Sequence, residues 1–222
     1  MCFCKREHVK PQPPIIHVID DDESLRSALD SLFRSVGFTT AMYVSTEAFL
    51  AASRSDTEGC LVLDIRLQGT SGLDFQDQLN ARGIFIPVIL MTGHGDIPMS
   101  VRGMKAGAVD FLTKPFRDQD MLDAIASALK LDRKRRAEHG QTAETEARFQ
   151  TLSSREQQVM LMVTRGLLNK QIAGDLGISE VTVKIHRGAA MRKMGARTVP
   201  DLVRMADALQ ERDPKRSTNT TV

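Results

Sequence analysis

The stretch Leu61-Val62-Leu63-Asp64-Ile65, LVLDI, decides the fold. Four apolar residues around one carboxylate read as a buried strand, with Asp64 where the strand runs out. In open parallel α/β sheets, ligands collect outside the carboxyl ends of the strands, so a carboxylate there stands where chemistry is done. Three other strand-like runs end on groups that complete the same site: IIHVI before Asp20, Asp21 and Asp22, PVILM before Thr92, and VDFLT before Lys114.

Outward from this stretch, strand and helix patterns alternate. Helical spacing runs from Glu23 to Val36, followed by the strand FTTAMYV and a short helix from Thr46 to Ala52. Beyond LVLDI comes a helix from Leu73 to Ala81. After PVILMT, HGDIPMSVRGMKAGA gives a Gly-rich loop and a helix whose pattern Met99 and Gly103 weaken. A longer helix starts at Asp118, with Met121, Leu122, Ile125 and Leu129 on one face. Five strands alternating with five helices predict an α/β domain with a doubly wound, five-stranded parallel sheet.

Past Lys130 the composition turns charged. KLDRKRRAEHGQTAETEARFQ reads as a linker whose first half extends the fifth helix, with Gly140 as the main breaker and KRR as a solvated helix face. From Leu152 to Leu209 every segment reads as helix. The predicted division is a disordered leader at 1–14 containing Cys2 and Cys4, an α/β domain at 15–130, a partly helical linker at 131–150, a small all-α domain at 151–210, and a polar tail at 211–222.

Charge separates the halves. Residues 15–129 carry nine Lys and Arg against sixteen Asp and Glu, a net of −7, whereas residues 152–210 carry nine against five, a net of +4. An acidic half suits a cation site; a basic, helix-patterned half suits a polyanion such as nucleic acid. No apolar run approaches the roughly 20 residues needed to span a membrane, and the first residues lack a signal-peptide core, so the expectation is a cytoplasmic protein with no membrane partner.

Mg²⁺ takes hard oxygen ligands, usually one or two carboxylates plus waters and phosphate oxygens, and Asp20, Asp21 and Asp64 can supply such carboxylates. With their charge partly neutralised, Asp64 can attack a phosphoryl group while Lys114 and Thr92 steady the charge on its oxygens. A DDDE run alone reads as an acidic surface loop; four coordinated strand ends argue against that. VIDDDE, LVLDIR, MTGHGD and FLTKPF together resemble the receiver domain of two-component response regulators over about residues 15 to 130. The resemblance implies that Asp64 is the phosphoacceptor, and that Asp21, Asp64 and the main-chain carbonyl of Arg66 bind Mg²⁺ directly, with Asp20 acting through water. It also implies that Thr92 and Lys114 contact the phosphoryl group, that Lys114-Pro115 is cis, and that Phe111 rotates with Thr92 on activation. The family usually has Met-Pro after the phosphoacceptor strand; this chain has Leu67-Gln68-Gly69, which bears on the stiffness of that loop and the phosphate lifetime.

In LGISEVTVKIHRGAAMRKMG, Ser179 is a good N-cap, Glu180 suits the positive helix start and Gly195 is a natural stop. Val183, Ala190, Met191 and Met194 form a core face with His186 and Arg187 at its edge. Val181, Lys184, Ile185 and Gly188 form a second stripe at i, i+3, i+4, i+7, which a small domain cannot easily bury as well. That stripe fits a major groove: Lys184 reaches a guanine edge or phosphate, Val181 and Ile185 touch thymine methyls, and Gly188 allows close approach. NKQIAGDLG supplies the first helix of a helix-turn-helix, with Asn169 and Lys170 near backbone phosphates. A helical bundle with a solvated basic face remains the other reading of the stripe alone.

LSSREQQVM, GLLNKQIAGDLGIS and TVKIHRGAAMRKM resemble the LuxR/NarL/FixJ-type DNA-binding domain over about residues 150 to 210. The resemblance places DNA contacts at Lys184, Ile185 and Gly188, with Thr182 and Arg187 on the same helix. It further implies a regulator that accepts a phosphoryl group on Asp64 from a sensor histidine kinase, binds double-stranded DNA as a homodimer and alters transcription, with RNA polymerase open as a further partner. No enzymatic turnover beyond self-phosphorylation and autodephosphorylation is expected. Two rivals stand beside it: a transcription factor whose receiver is a phosphorylation-independent dimer scaffold, and an aspartyl-phosphate phosphohydrolase.

Overall fold

The computed structural model describes residues 13–52, 57–67, 71–93 and 97–212. The leader and tail expected at 1–14 and 211–222 therefore fall almost wholly outside the described residues, as do Gln68 and Gly69 of the loop after Asp64. The chain forms two compact units, one up to Arg135 and one from Arg136.

In the first unit, β1 (Ile15–Ile19), β2 (Thr39–Tyr43), β3 (Gly59–Asp64), β4 (Val88–Thr92) and β5 (Asp110–Thr113) pair in parallel in the order β2-β1-β3-β4-β5. Helices α1 (Glu23–Ser35), α2 (Thr46–Ala51), α3 (Gly72–Ala81) and α4 (Ile97–Lys105) connect them, and α5 (Asp118–Gln150) follows β5. Alternation along β3 shows why both faces are covered. Cys60 and Val62 pack with Leu29 and Phe33 of α1 and Met121 and Ile125 of α5, while Leu61 and Leu63 pack with Phe49 of α2 and Leu73, Phe75 and Leu79 of α3. Each such burial contributes on the order of 1.5–3 kcal/mol, so a run apolar on both sides of the pleat is stable only between two helical layers.

Gly103, which interrupts the α4 pattern, marks a close approach. A Cβ there would stand 2.5 Å from Leu90 Cδ1 of β4 and 3.3 Å from Leu73 Cδ2. The periodicity of α4 is weakened because the helix lies too near the sheet for a side chain at that point.

The linker differs from its expectation. Residues 131–150, expected to be only partly helical and broken at Gly140, are helical throughout, because α5 runs 33 residues without interruption. One mid-helix glycine costs about 0.8–1 kcal/mol relative to alanine, too little to stop a helix anchored on both sides. Met121, Ile125 and Leu129 are buried in the first unit's core and Phe149 in the second's. Across the glycine, Thr142 donates to the Glu138 carbonyl at 3.0 Å, and just beyond it Thr145 donates to the Gln141 carbonyl at 2.8 Å and Arg148 pairs with Glu144 at 2.8 Å. The basic run is also more than a solvated face. Arg135 pairs at 2.6 Å with Asp132, a buried carboxylate that accepts the Gly59 N–H at 3.1 Å, and the neighbouring Arg133 pairs with Glu58 at 2.6 Å.

The second unit holds the end of α5 with α6 (Ser154–Thr164), α7 (Asn169–Leu176), α8 (Glu180–Met194) and α9 (Val199–Arg212). Val159, Met160, Ile172, Val183, Ala190 and Met194 form its centre. Leu202, Ala206 and Leu209 of α9 are buried in that same core, so the apolar face of the last helix serves its own domain.

Because the space around Gly140 is open and its φ is not positive, Gly140→Ala should stabilise the protein by about 0.5–1 kcal/mol, read as a higher denaturant midpoint. A helix that stopped at Gly140 would instead show no gain.

Candidate functional site

The carboxyl ends of β1, β3, β4 and β5 bring the expected groups together. Asp20 follows β1, Asp64 closes β3, Thr92 closes β4 and Lys114 follows β5. Lys114 Nζ donates to Asp20 Oδ2 at 2.7 Å and to Asp64 Oδ2 at 2.5 Å. Both carboxylates are buried, Asp20 completely, while the lysine side chain keeps 22% exposure. Burial alone pulls the Lys114 ammonium down, but its hydrogen bonds to the two carboxylates outweigh this and hold its pKa above the ordinary value. Burial pushes the Asp20 carboxyl up, and the Lys114 and Asp22 N–H bonds only partly offset it.

The loops around these ends are tied to them. Asp20 Oδ1 accepts the Asp22 N–H at 2.8 Å, and Asp64 Oδ1 accepts the Arg66 N–H at 2.9 Å. Asp22 caps α1, accepting the backbone N–H groups of Ser24 at 2.8 Å and Leu25 at 3.2 Å, so this third acidic residue serves the helix start. Thr92 is fully buried and its carbonyl accepts the Lys114 N–H at 2.7 Å; Phe111 of β5, half-buried, lies in register with Leu90. The Lys114–Pro115 peptide is cis.

Two residues of this site were missed in the sequence. Arg26 of α1 donates to the Asp20 carbonyl at 2.7 Å. Gly72 lets α3 start against the Asp64 backbone, where a Cβ would run into the Asp64 carbonyl oxygen. The first partner is a main-chain atom and the second a backbone approach, neither of which leaves a pattern in side-chain spacing.

Asp21, exposed, completes a cation-binding set: carboxylate oxygens of Asp20, Asp21 and Asp64 lie within 4.8 Å of one another. Three carboxylates against one ammonium leave an excess of negative charge on hard oxygen donors, which fits a divalent cation of the oxygen-seeking kind.

In the second unit, α8 shows the two faces expected. Val183, Ala190 and Met194 are buried, while Val181 and Ile185 keep 66% and 63% exposure and Lys184 points to solvent beside them. Ser179 caps α8 by accepting the Thr182 N–H at 3.1 Å, and their hydroxyls pair at 2.9 Å. Arg187 donates to Asn169 Oδ1 at 3.2 Å, which ties α8 to the start of α7; Lys170 is exposed. At Gly188 an added Cβ would meet only Arg192 Nη1 at 3.5 Å, so the fold itself does not demand glycine there.

Long-range ties that hold α8 in place were not legible in sequence. Ser153 and Glu156 form a capping box on α6, and Lys193 of α8 pairs with Glu156 at 2.6 Å. The Lys193 and Ser153 N–H bonds hold the Glu156 carboxyl below its usual range. Arg148 of α5 donates to the Met194 carbonyl at 2.8 Å, satisfying one of the orphan carbonyls at the end of α8.

Residues 16–126 match the response regulator receiver domain family, and residues 150–206 match the bacterial regulatory proteins of the luxR family. Nodulation protein W of Bradyrhizobium diazoefficiens is 53% identical over 88% of this chain and 86% of its own length. Transcriptional regulatory protein FixJ of Rhizobium meliloti is 45% identical over 86% of this chain and 94% of its own. Among solved structures, response regulator StyR superimposes with a TM-score of 0.77 at 47% identity, over 88% of this chain and 99% of that one.

If Asp20, Asp21 and Asp64 hold a divalent cation, adding one should raise the thermal midpoint of the protein, by the equivalent of about 2.7 kcal/mol at one hundred times Kd. Asp21→Asn, at the exposed member of the set, should fold normally and lose most of that shift. An equal shift in both proteins would place the cation elsewhere.

Proposed function

This chain belongs to the two-component response regulators that join a receiver domain to a LuxR-family DNA-binding domain, and from that premise we propose that phosphorylation of Asp64 by a sensor histidine kinase controls its binding to DNA. The observation that carries this reading is the Lys114 ammonium held between Asp20 and Asp64. It supplies a cation beside a buried carboxylate at the carboxyl edge of the sheet, where phosphoryl oxygens can be met.

In the proposed reaction a carboxylate oxygen of Asp64 forms a bond to phosphorus as the phosphorus–nitrogen bond of the kinase phosphohistidine breaks, and the imidazole leaves with the electron pair. Lys114 then bonds a phosphoryl oxygen in place of Asp64 Oδ2, and the Thr92 hydroxyl a second. Asp21, Asp64 and the Arg66 carbonyl would hold Mg²⁺, and Asp20 would act through water. When bound there, the ion would supply positive charge between the carboxylates and the incoming phosphoryl group. A phosphoryl group that draws on Thr92 and Lys114 shifts the ends of β4 and β5. Phe111 of β5, half-buried, turns with Thr92, which changes the surface of α4 and β5 and favours a homodimer.

For the second unit the reading is a helix-turn-helix made of α7 and α8. Lys184, Val181, Thr182, Ile185, Arg187 and Gly188 face the major groove or its rim, and Asn169 and Lys170 lie near backbone phosphates. Pairing two such units in a phosphorylated dimer raises their effective concentration on adjacent half-sites. Transcription is altered in the cytoplasm, with RNA polymerase as the further partner.

Incubation with a divalent cation and a small phosphodonor such as acetyl phosphate should add one acid-labile phosphoryl group. Labelling that survives Asp64→Asn, or that proceeds equally in EDTA, would overturn the site. Steady release of phosphate from the donor at many turnovers would favour the phosphohydrolase, and full gene control by Asp64→Asn the phosphorylation-independent scaffold.

On DNA, Lys184→Ala should cost about 1–3 kcal/mol and relax preference at one base pair if the lysine reads a guanine. If it meets only phosphate, the loss should be uniform across sequences, with a salt slope lower by about one. Unchanged affinity would remove α8 from the interface.

A further inference from the structure

Among the described residues, six helices have a defined N-cap, and five of those six are Asp or Ser. Asp22, Ser45, Ser71, Ser153 and Ser179 stand at the N-caps of α1, α2, α3, α6 and α8, but Leu168 stands at that of α7. A leucine cannot accept the orphan N–H groups of the first turn, and here only the reverse bond is made, from the Leu168 N–H to Gln171 Oε1 at 2.8 Å. The same leucine breaks a second rule: at 69% exposure it is the most exposed large hydrophobic side chain among the described residues. Next in order are Val181 at 66% and Ile185 at 63%. The three most exposed large hydrophobic side chains among the described residues thus all stand at the start of α7 or on α8.

A side chain that costs both a cap and solvated apolar area is accounted for by a surface that covers it. The chemistry around Leu168 indicates which one. Arg165 and Lys170 flank it, both exposed, and no Asp or Glu occurs from Gln157 to Gly174. Asn169, the next residue, accepts from Arg187 of α8, which joins the start of α7 to the helix carrying Lys184, Val181 and Ile185. The first helix of a helix-turn-helix crosses the nucleic-acid backbone while the second enters the groove. An apolar side chain at the head of the first helix, between two cations, therefore meets a deoxyribose between two phosphates.

Resting on the DNA-binding reading above, we infer that Leu168 is a third apolar DNA contact, packing on a backbone sugar, and that α7 gives up its N-cap for it. The contact adds affinity without reading sequence and carries no charge.

The test is Leu168→Ser in the full-length protein, with Leu168→Met and Lys184→Ala alongside. The probes are a duplex selected by the wild type from a random-sequence pool and an unrelated duplex of equal length. Leu168→Ser gains a cap, so its thermal midpoint should rise. Its affinity should fall roughly tenfold on both duplexes, with the salt slope unchanged, since apolar area but no charge is lost. Leu168→Met, which keeps the apolar reach, should bind nearly as the wild type. If Leu168→Ser gains stability and binds as tightly as the wild type while Lys184→Ala is weakened, the sugar contact is overturned and the recognition helix stands. If neither variant is weakened, the helix-turn-helix reading falls and this inference falls with it. A Leu168→Ser protein that binds DNA normally but no longer supports transcription would overturn the contact in favour of a protein partner.

Discussion

The ammonium of Lys114 is the contact on which the upper edge of the receiver depends. Asp20 and Asp64 arrive from neighbouring strands with their carboxylates buried, and without a cation between them their charges would repel in a poorly solvated place. Removing one partner from such a buried set typically costs about 3–5 kcal/mol, because the remaining charge is left uncompensated. Pairs such as Arg117–Asp120, with the arginine 84% exposed, carry no comparable weight. The sheet order puts β1 and β3 side by side and β5 two strands from β3, so the long lysine side chain spans the mouth of the crevice to reach both acids.

The same arrangement is poised for change. A lysine that satisfies two carboxylates in one state can also turn a donor to a new anion, since the ammonium has three donors on a flexible stem. The neighbouring loops are less free. Asp64 and Asp20 each accept a backbone N–H two residues on, and Arg26 fixes the Asp20 carbonyl, so the acids are oriented by main-chain geometry before any ligand arrives. Rigid acids beside an adaptable cation form a site that can report the arrival of charge.

In the second unit the constraint is on helix ends. Helix α8 is held at its start by Ser179, along one side by Val183, Ala190 and Met194, and at its end by Arg148 and the Lys193–Glu156 pair. With the inner face and both ends fixed, the outer stripe has a defined direction. That is what lets Val181, Lys184 and Ile185 act as a surface rather than as three separate side chains.

The alternation of buried runs and amphipathic helices was enough to determine the five-stranded sheet, and strand ends were enough to gather Asp20, Asp64, Thr92 and Lys114. Both follow from periods of 2 and 3.6, which are local and written in the chain. The inner and outer faces of α8 were legible for the same reason. What tertiary structure decided were the features whose partners are distant or main-chain. Gly140 reads as a breaker, yet it lies inside a continuous helix because cores at either side anchor α5. Leu202, Ala206 and Leu209 of α9 share one apolar face, and only packing shows that face buried inside its own domain. Gly72 is required by the Asp64 backbone, and Gly103 lies against the side-chain ends of Leu90 and Leu73. Sequence spacing records which residues share a face; what covers that face is settled by close packing between segments far apart in the chain.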